Sequence, residues 1–278
     1  MLSLFTQTAQ SCSKLITEQY STSFTLGIKT LDAKFHTAVF SIYGFVRYAD
    51  EIVDTFYDYD QKSLLARFKE DAYTAINEGI SLNPVLHSFQ LVVNQYKIEK
   101  PLIEAFLHSM EMDLYEKDYT KAGYEEYIYG SAEVVGLMCL RVFCEGDEAE
   151  YDRLKPDARR LGSAFQKVNF LRDLQSDFED RGRVYFPGVD FSNFDKSAKQ
   201  LIEDDIQADF DAALRGIIAL PSGAKMGVYL AYKYYLVLFK KIKNLPPTLI
   251  QEKRIRVPDF QKMLLLGQTM LQYKLGRI

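Results

Sequence analysis

The sequence predicts an all-α fold, and three observations carry that prediction. Apolar residues recur at three- and four-residue steps over most of the chain, the interruptions fall on glycine, proline and asparagine, and alternating strand-like runs are nearly absent. The first clear stripe is Val39, Ile42, Tyr43, Val46, Ala49 and Val53, one apolar face of a long helix. The same period predicts helices over about 61–79, 83–98, 101–116, 123–143, 151–178, 196–218, 222–243 and 258–275. Breakers separate them: Asn83-Pro84, Gly123, Gly146, Pro221 with Gly223, and Pro246-Pro247. The longest piece without helical period, 180–195, carries Gly182, Pro187 and Gly188. No tandem repeat, low-complexity tract or linker interrupts the pattern, so the expectation is one domain over 1–278 with nine or ten helices.

Composition bounds the function. With 278 residues, 47% hydrophobic, the chain has ample material for a large core. It has 19 Tyr and 19 Phe but no Trp, enough rings to line a cavity as well as fill a core. The net charge is −4 and no basic block occurs, which argues against a nucleic-acid partner. Cys12, Cys139 and Cys144 form no CxxC pair and leave an odd count, the pattern of reduced thiols in a cytoplasmic protein. The first fifteen residues lack a charged segment followed by an apolar run, so no signal peptide is expected. The most apolar stretch, 227–239, is too short to span a bilayer and contains Lys233; any membrane contact is expected to be peripheral.

Two acidic constellations stand out. In "RYADEIVD", Asp50 and Asp54 are four residues apart with Arg47 one turn before them. In "AFQKVNFLRDLQSDFEDRGR", Gln166, Asn169, Asp173 and Asp177 are spaced 3, 4 and 4, one face of a helix, with Arg172 beside them. A single such pair is most often a solvated face. Two pairs with matching arginines, 123 residues apart, suggest converging carboxylates. Like charges at this spacing repel unless something positive offsets them. Hard divalent cations suit such oxygens, and Mg²⁺ typically uses one or two carboxylates plus substrate phosphates. Glu51 lies about 100° around the helix from Asp50, the place of a neighbour rather than a ligand. Asp58 and Asp60 read as loop acids, and His36, His87 and His108 show no metal-ligand spacing.

These residues resemble the squalene/phytoene synthase family of head-to-head prenyl transferases. "YGFVRYADEIVD" resembles its first aspartate motif, and "QKVNFLRDLQSDFEDRGRVYFP" resembles its N-x-x-R-D-x-x-x-D and R-G-R-x-Y-x-P signature. "YSTSF" and "YIYGSAEVVGLMCL" match two further elements, and the likeness runs from about 15 to 265. Glu133 stands where the family usually has glycine, which bears on the shape of the tail pocket.

The resemblance implies a class I isoprenoid synthase helical bundle with a central cavity. It implies that Asp50, Asp54, Asn169, Asp173 and Asp177 hold Mg²⁺, with Mn²⁺ as a substitute, and that no NADPH is used. Arg47, Gln166, Asn169 and Arg172 would hold diphosphate; Ser21, Ser23 and Phe24 would form a flap over one prenyl diphosphate substrate; Tyr127 and Tyr185 would lie near the reacting carbons. Ser21 and Ser23 suit helix N-caps equally well. The substrates implied are two geranylgeranyl diphosphates, with two farnesyl diphosphates as the alternative and a non-catalytic helical binding protein as the rival of another class. The resemblance also implies peripheral membrane contact for product release. The basic stretch 253–256 reads as a solvated turn within reach of diphosphates or an anionic membrane surface.

Overall fold

Amphipathic stripes become helices here wherever a short polar side chain caps the first turn. Asp60, Asn83, Asp147 and Asp195 each accept from a backbone N–H two or three residues ahead, and Pro84 follows Asn83 where its missing N–H costs nothing. The computed structural model describes residues 2–115, 119–174, 185–187, 194–252 and 254–278.

Thirteen α-helices occur among the described residues. In order they are α1 Leu2–Tyr20, α2 Thr22–Lys29, α3 Ala33–Asp54, α4 Gln61–Glu78, α5 Pro84–Tyr96, α6 Lys100–Tyr115, α7 Lys121–Ile128 and α8 Val134–Cys144. Then follow α9 Glu148–Arg172, α10 Lys196–Ala219, α11 Ser222–Lys243, α12 Pro247–Glu252 and α13 Asp259–Lys274. No strand occurs among the described residues. The count exceeds the nine or ten expected because α1, α2 and α12 lie outside the predicted helical stretches and the one expected over 123–143 divides into α7 and α8.

The segment expected as one helix over 123–143 contains a wider π turn, Tyr129–Glu133, between α7 and α8. Packing explains it: α9 crosses so closely at Gly162 that an added Cβ would sit 2.8 Å from the Ala132 carbonyl oxygen. Within the helix expected over 151–178, α9 runs to Arg172 with Asp173 as its cap, and 175–178 lie outside the described residues. A second close approach seats α2 on α11, where a Cβ at Gly227 would stand 2.7 Å from the Gly27 carbonyl oxygen.

Two buried cores result. One centres on Phe45, stacked on Phe89 at 3.9 Å, within α3, α5, α6 and α8. The other gathers Phe210, Leu238 and Phe239 from α10 and α11 against α9. A cavity of about 360 Å³ lies between them, walled by α2, α3, the π turn, α8, α9, α10 and α11. The run Lys121–Cys144 is long and apolar enough to cross a membrane, but 61% of it is buried within the bundle and it supplies cavity wall.

His87 ties α1 to this frame. The ring is 2% exposed, accepts from the Ser81 N–H at 3.4 Å through Nδ1, and stands 3.1 Å through Nε2 from the Thr6 hydroxyl. Burial lowers its pKa below the ordinary 6.5. The unfolded chain therefore takes up the proton first, and the stability present above pH 6.5 is lost as pH falls toward the folded-state value. Melting curves between pH 7 and 5 are expected to fall more steeply for the native chain than for His87→Asn; parallel curves would exclude this role.

Candidate functional site at the polar end of the cavity

The cavity wall is mostly apolar; Ser131 and Asp157 interrupt it along its length, and a group of polar side chains gathers at one end. Arg47 and Asp50 reach that end from α3, and Gln166 and Asn169 reach it from α9. The helical period puts Tyr43, Arg47 and Asp50 on one face, so one stretch of α3 supplies a phenol, a guanidinium and a carboxylate together.

Arg47 ion-pairs with both Asp50 and Glu51, and its guanidinium lies 4.4 Å from the centre of the Tyr20 ring. Burial depresses its pKa, but the two carboxylates outweigh that and the net shift is upward. Its buried Nε has no hydrogen-bond partner. Glu51 is thus a partner of Arg47, as its angular position suggested. Asp54 is the last residue of α3, and the cavity lining stops short of it.

Past the lining residues of α9, Arg172 holds Asp173 through Nε at 3.0 Å, and Arg254, in the loop after α12, reaches the same carboxylate at 2.7 Å. Burial opposes the charge on Arg172, Asp173 more than restores it, and the net shift is upward. The Tyr235 hydroxyl donates to Asn169 Oδ1 at 3.2 Å, while its ring stacks on Phe165 at 4.0 Å. Tyr43, near Arg47 and the Ser21 hydroxyl, is pushed up to about 12 by burial. Tyr235 is raised for the same reason, so both phenols are neutral donors near pH 7. Tyr43 feels Asp50 and Tyr235, and Tyr235 feels Arg172 and Asp173. Asp50 of the first constellation lines the cavity itself, whereas Arg172 and Asp173 lie outside the lining, one turn beyond Asn169 at the end of α9.

The other expected residues divide. Ser21 is the N-cap of α2, accepting from the Phe24 N–H at 3.2 Å, whereas Ser23 lies inside that helix. Phe24 lines the cavity and meets the Tyr43 ring at 5.2 Å. Tyr127 also lines the cavity, and its hydroxyl donates to both oxygens of Asp113 at 3.0 Å. Tyr185 sits behind it, stacked on Phe170 at 4.0 Å and 5.3 Å from the Tyr127 ring. Asp177 lies outside the described residues. Glu133 pairs with Arg159 at 2.6 Å, and the lining passes from Ala132 to Val135 without it.

Sequence reasoning missed Tyr43, Tyr235, Arg254 as a partner of Asp173, and Asp113. Tyr43 was counted as a member of an apolar stripe, and Tyr235 sits in an apolar run. Asp113 did offer a signal: a lone acid on the apolar face of "MEMDLY", buried at 9% exposure, demands a partner.

The donor chemistry fits a hard cation. A carboxylate on α3, Asp50, faces the amide oxygens of Gln166 and Asn169 on α9, with Asp173 capping that helix one turn further on. No three carboxylate, imidazole or thiol groups gather into a cluster among the described residues. Mg²⁺ that keeps several waters and takes one or two carboxylates plus substrate phosphate needs no such cluster.

Comparison with known proteins identifies the family and the fold. The family model described as squalene/phytoene synthase matches residues 17–261. The 15-cis-phytoene synthase of Synechocystis is 28% identical over 92% of this chain and 83% of its own length. The 4,4′-diapophytoene synthase of Staphylococcus haemolyticus is 25% identical over 75% of this chain and 72% of its own. Among solved structures, a dehydrosqualene synthase in complex with ligand superposes with a TM-score of 0.80 at 20% identity, covering 97% of this chain and 98% of that one. The squalene synthase HpnC from Alicyclobacillus acidocaldarius gives 0.75 at 19%, covering 86% and 94%. At these identities the structural likeness concerns the fold, that of the all-helical isoprenoid synthases.

Proposed function

The chain belongs to the squalene/phytoene synthase family, and from that premise we propose that it condenses two geranylgeranyl diphosphates head to head to phytoene. Family membership makes it a prenyltransferase-type enzyme acting on prenyl diphosphates. The observation that carries the reading is the cavity: a mostly apolar wall for long hydrocarbon tails, with Arg47, Asp50, two amides and two neutral phenols at one end. Support for the longer substrate comes from the breadth of the match to relatives named phytoene synthase, from Synechocystis and from Arthrospira platensis, each over 92% of this chain. Two farnesyl diphosphates are the alternative pair.

In this reading Arg47, Arg172 and Arg254 bind diphosphate oxygens, and Tyr43 and Tyr235 donate hydrogen bonds to them. Asp50, Asp54, Asn169, Asp173 and Asp177 would hold Mg²⁺, which when bound supplies Lewis-acid charge to the departing diphosphate. The C1–O bond of one substrate breaks and its diphosphate leaves. The C2–C3 double bond of the second attacks that C1, and loss of a proton closes a cyclopropylcarbinyl diphosphate. Departure of the second diphosphate and rearrangement then give a 1′–1 linked allylic cation, and loss of a second proton from it gives phytoene. Aromatic and aliphatic walls, including Phe24, Phe106 and Phe165, keep water from these cations. In this reading Tyr127 takes up the proton on its hydroxyl oxygen and passes its own to the Asp113 carboxylate, which that hydroxyl meets at 3.0 Å.

The test is product identity. Purified protein with Mg²⁺ and either C20 or C15 diphosphate, without NADPH, is expected to give a C40 hydrocarbon from the C20 substrate. A C30 product alone would replace this substrate assignment with the farnesyl one. Tyr127→Phe is expected to lower turnover about 10²-fold with KM nearly unchanged, and Asp113→Asn to follow it. Turnover within twofold of native in both variants would remove Tyr127 from the proton step.

A further inference from the structure

The helix α13 presents two unlike faces. Leu265 and Thr269 turn inward beside α11, and the Tyr273 hydroxyl donates to the Ser222 carbonyl at 3.1 Å. The outward face carries Phe260, Met263, Leu264, Met270, Leu271 and Leu275, exposed between 41% and 63%. Their spacing follows the helical period, so they form one stripe about 22 Å long at 1.5 Å per residue. Six large apolar side chains in one row are more than scattered surface exposure.

Charge surrounds the stripe. Residues 254–278 hold five cations against one acid, Asp259, in a chain whose total charge is −4. Arg254 is committed to Asp173 and Lys262 to Asp259, so Arg256, Lys274 and Arg277 are the cations available beside the stripe. Position completes the picture. Lys262 reaches the Thr22 hydroxyl at 3.2 Å, at the start of α2, and Phe24 two residues on is both surface-exposed and part of the cavity wall. The stripe therefore adjoins the element that borders the cavity.

We propose that the Phe260–Leu275 face of α13 docks on an anionic lipid bilayer, with the α2 side of the cavity held at the lipid surface. An apolar row flanked by lysine and arginine is the composition of an interfacial helix, held by apolar burial and attraction to anionic headgroups. A second copy of this chain fits less well, since pairing the face with itself would set the basic groups against one another. The benefit assigned to docking rests on the proposed use of prenyl diphosphates: long tails would enter and leave without crossing water.

Vesicle flotation of the full chain tests this. The native protein is expected to float with phosphatidylcholine vesicles containing about 30% phosphatidylglycerol. Binding to pure phosphatidylcholine, or in 0.5 M salt, is expected to be weaker by about tenfold, because salt screens the attraction. The double variant Leu264→Ser/Leu271→Ser is expected to lose about tenfold in vesicle binding while keeping its melting temperature and its turnover of detergent-dispersed substrate. Absence of native binding, or undiminished binding by the variant, overturns the proposal. So does a native dimer that this variant dissociates, which would make the stripe a self-association face. Native binding without any condensation activity would refute the proposed function while leaving the docking face intact.

Discussion

Asp50→Asn is expected to lower prenyl diphosphate condensation by at least about 10²-fold, the scale seen when a charge aimed at the departing group is removed. Asp50 is the carboxylate of the first acidic pair that lines the cavity, and Arg47 holds it. Neutralising it removes an anionic oxygen from the expected Mg²⁺ site and frees Arg47 to pair with Glu51 alone. The fold should be little affected, because the Asp50 side chain is a third exposed, at 33%, and Glu51 keeps the arginine in place. Glu51→Gln is the control, expected to stay within about tenfold because Glu51 contacts Arg47 rather than the cavity. Steady-state diphosphate release across a Mg²⁺ titration checks both. More than a tenth of native activity in Asp50→Asn at saturating Mg²⁺ would remove Asp50 from the site.

The second large effect is on stability. Asp209, 1% exposed on α10, accepts from Ser163 Oγ at 2.9 Å, Lys167 Nζ at 2.7 Å and Arg160 at 2.9 Å, all on α9. Asp209→Ala leaves the buried Lys167 ammonium with only the more exposed Asp205. Breaking a buried pair by removing one partner typically costs about 3–5 kcal/mol. The lower end is expected here because Asp205 remains, a fall of about 6–10 °C in Tm. Asp209→Asn keeps the hydrogen-bond acceptor and should lose less. Since α9 carries Gln166 and Asn169, the Ala variant should also turn over poorly near its own melting range. A loss below about 1 kcal/mol would mean that apolar packing alone holds α9 on α10.

The elements that sequence made legible are those whose own residues specify them. The periodic stripe of α3 and the Asp50–Asp54 spacing lie within one helix, and the Gln166–Asn169–Asp173 spacing lies within α9 and its cap. What stayed hidden depends on contacts between distant segments. The π turn at 129–133 answers the approach of Gly162, thirty residues later. Arg254 meets Asp173 across 81 residues; from sequence it read as part of a basic turn within reach of diphosphates, with no sign of its carboxylate partner. Tyr43 and Tyr235 looked like packing residues because periodicity reports which way a side chain faces, not what its hydroxyl meets. The α13 stripe was visible as a helix, but only its unburied apolar face showed that this stripe is not core.

The central claim is that one cavity unites two prenyl diphosphates. Its most direct measurement is the ratio of diphosphate released to hydrocarbon formed, using a single labelled prenyl diphosphate with and without chelation of Mg²⁺. The account predicts two diphosphates per 1′–1 linked hydrocarbon, with both abolished by the chelator. Diphosphate release that yields only monomeric alcohol, or condensation that persists without divalent metal, would contradict it.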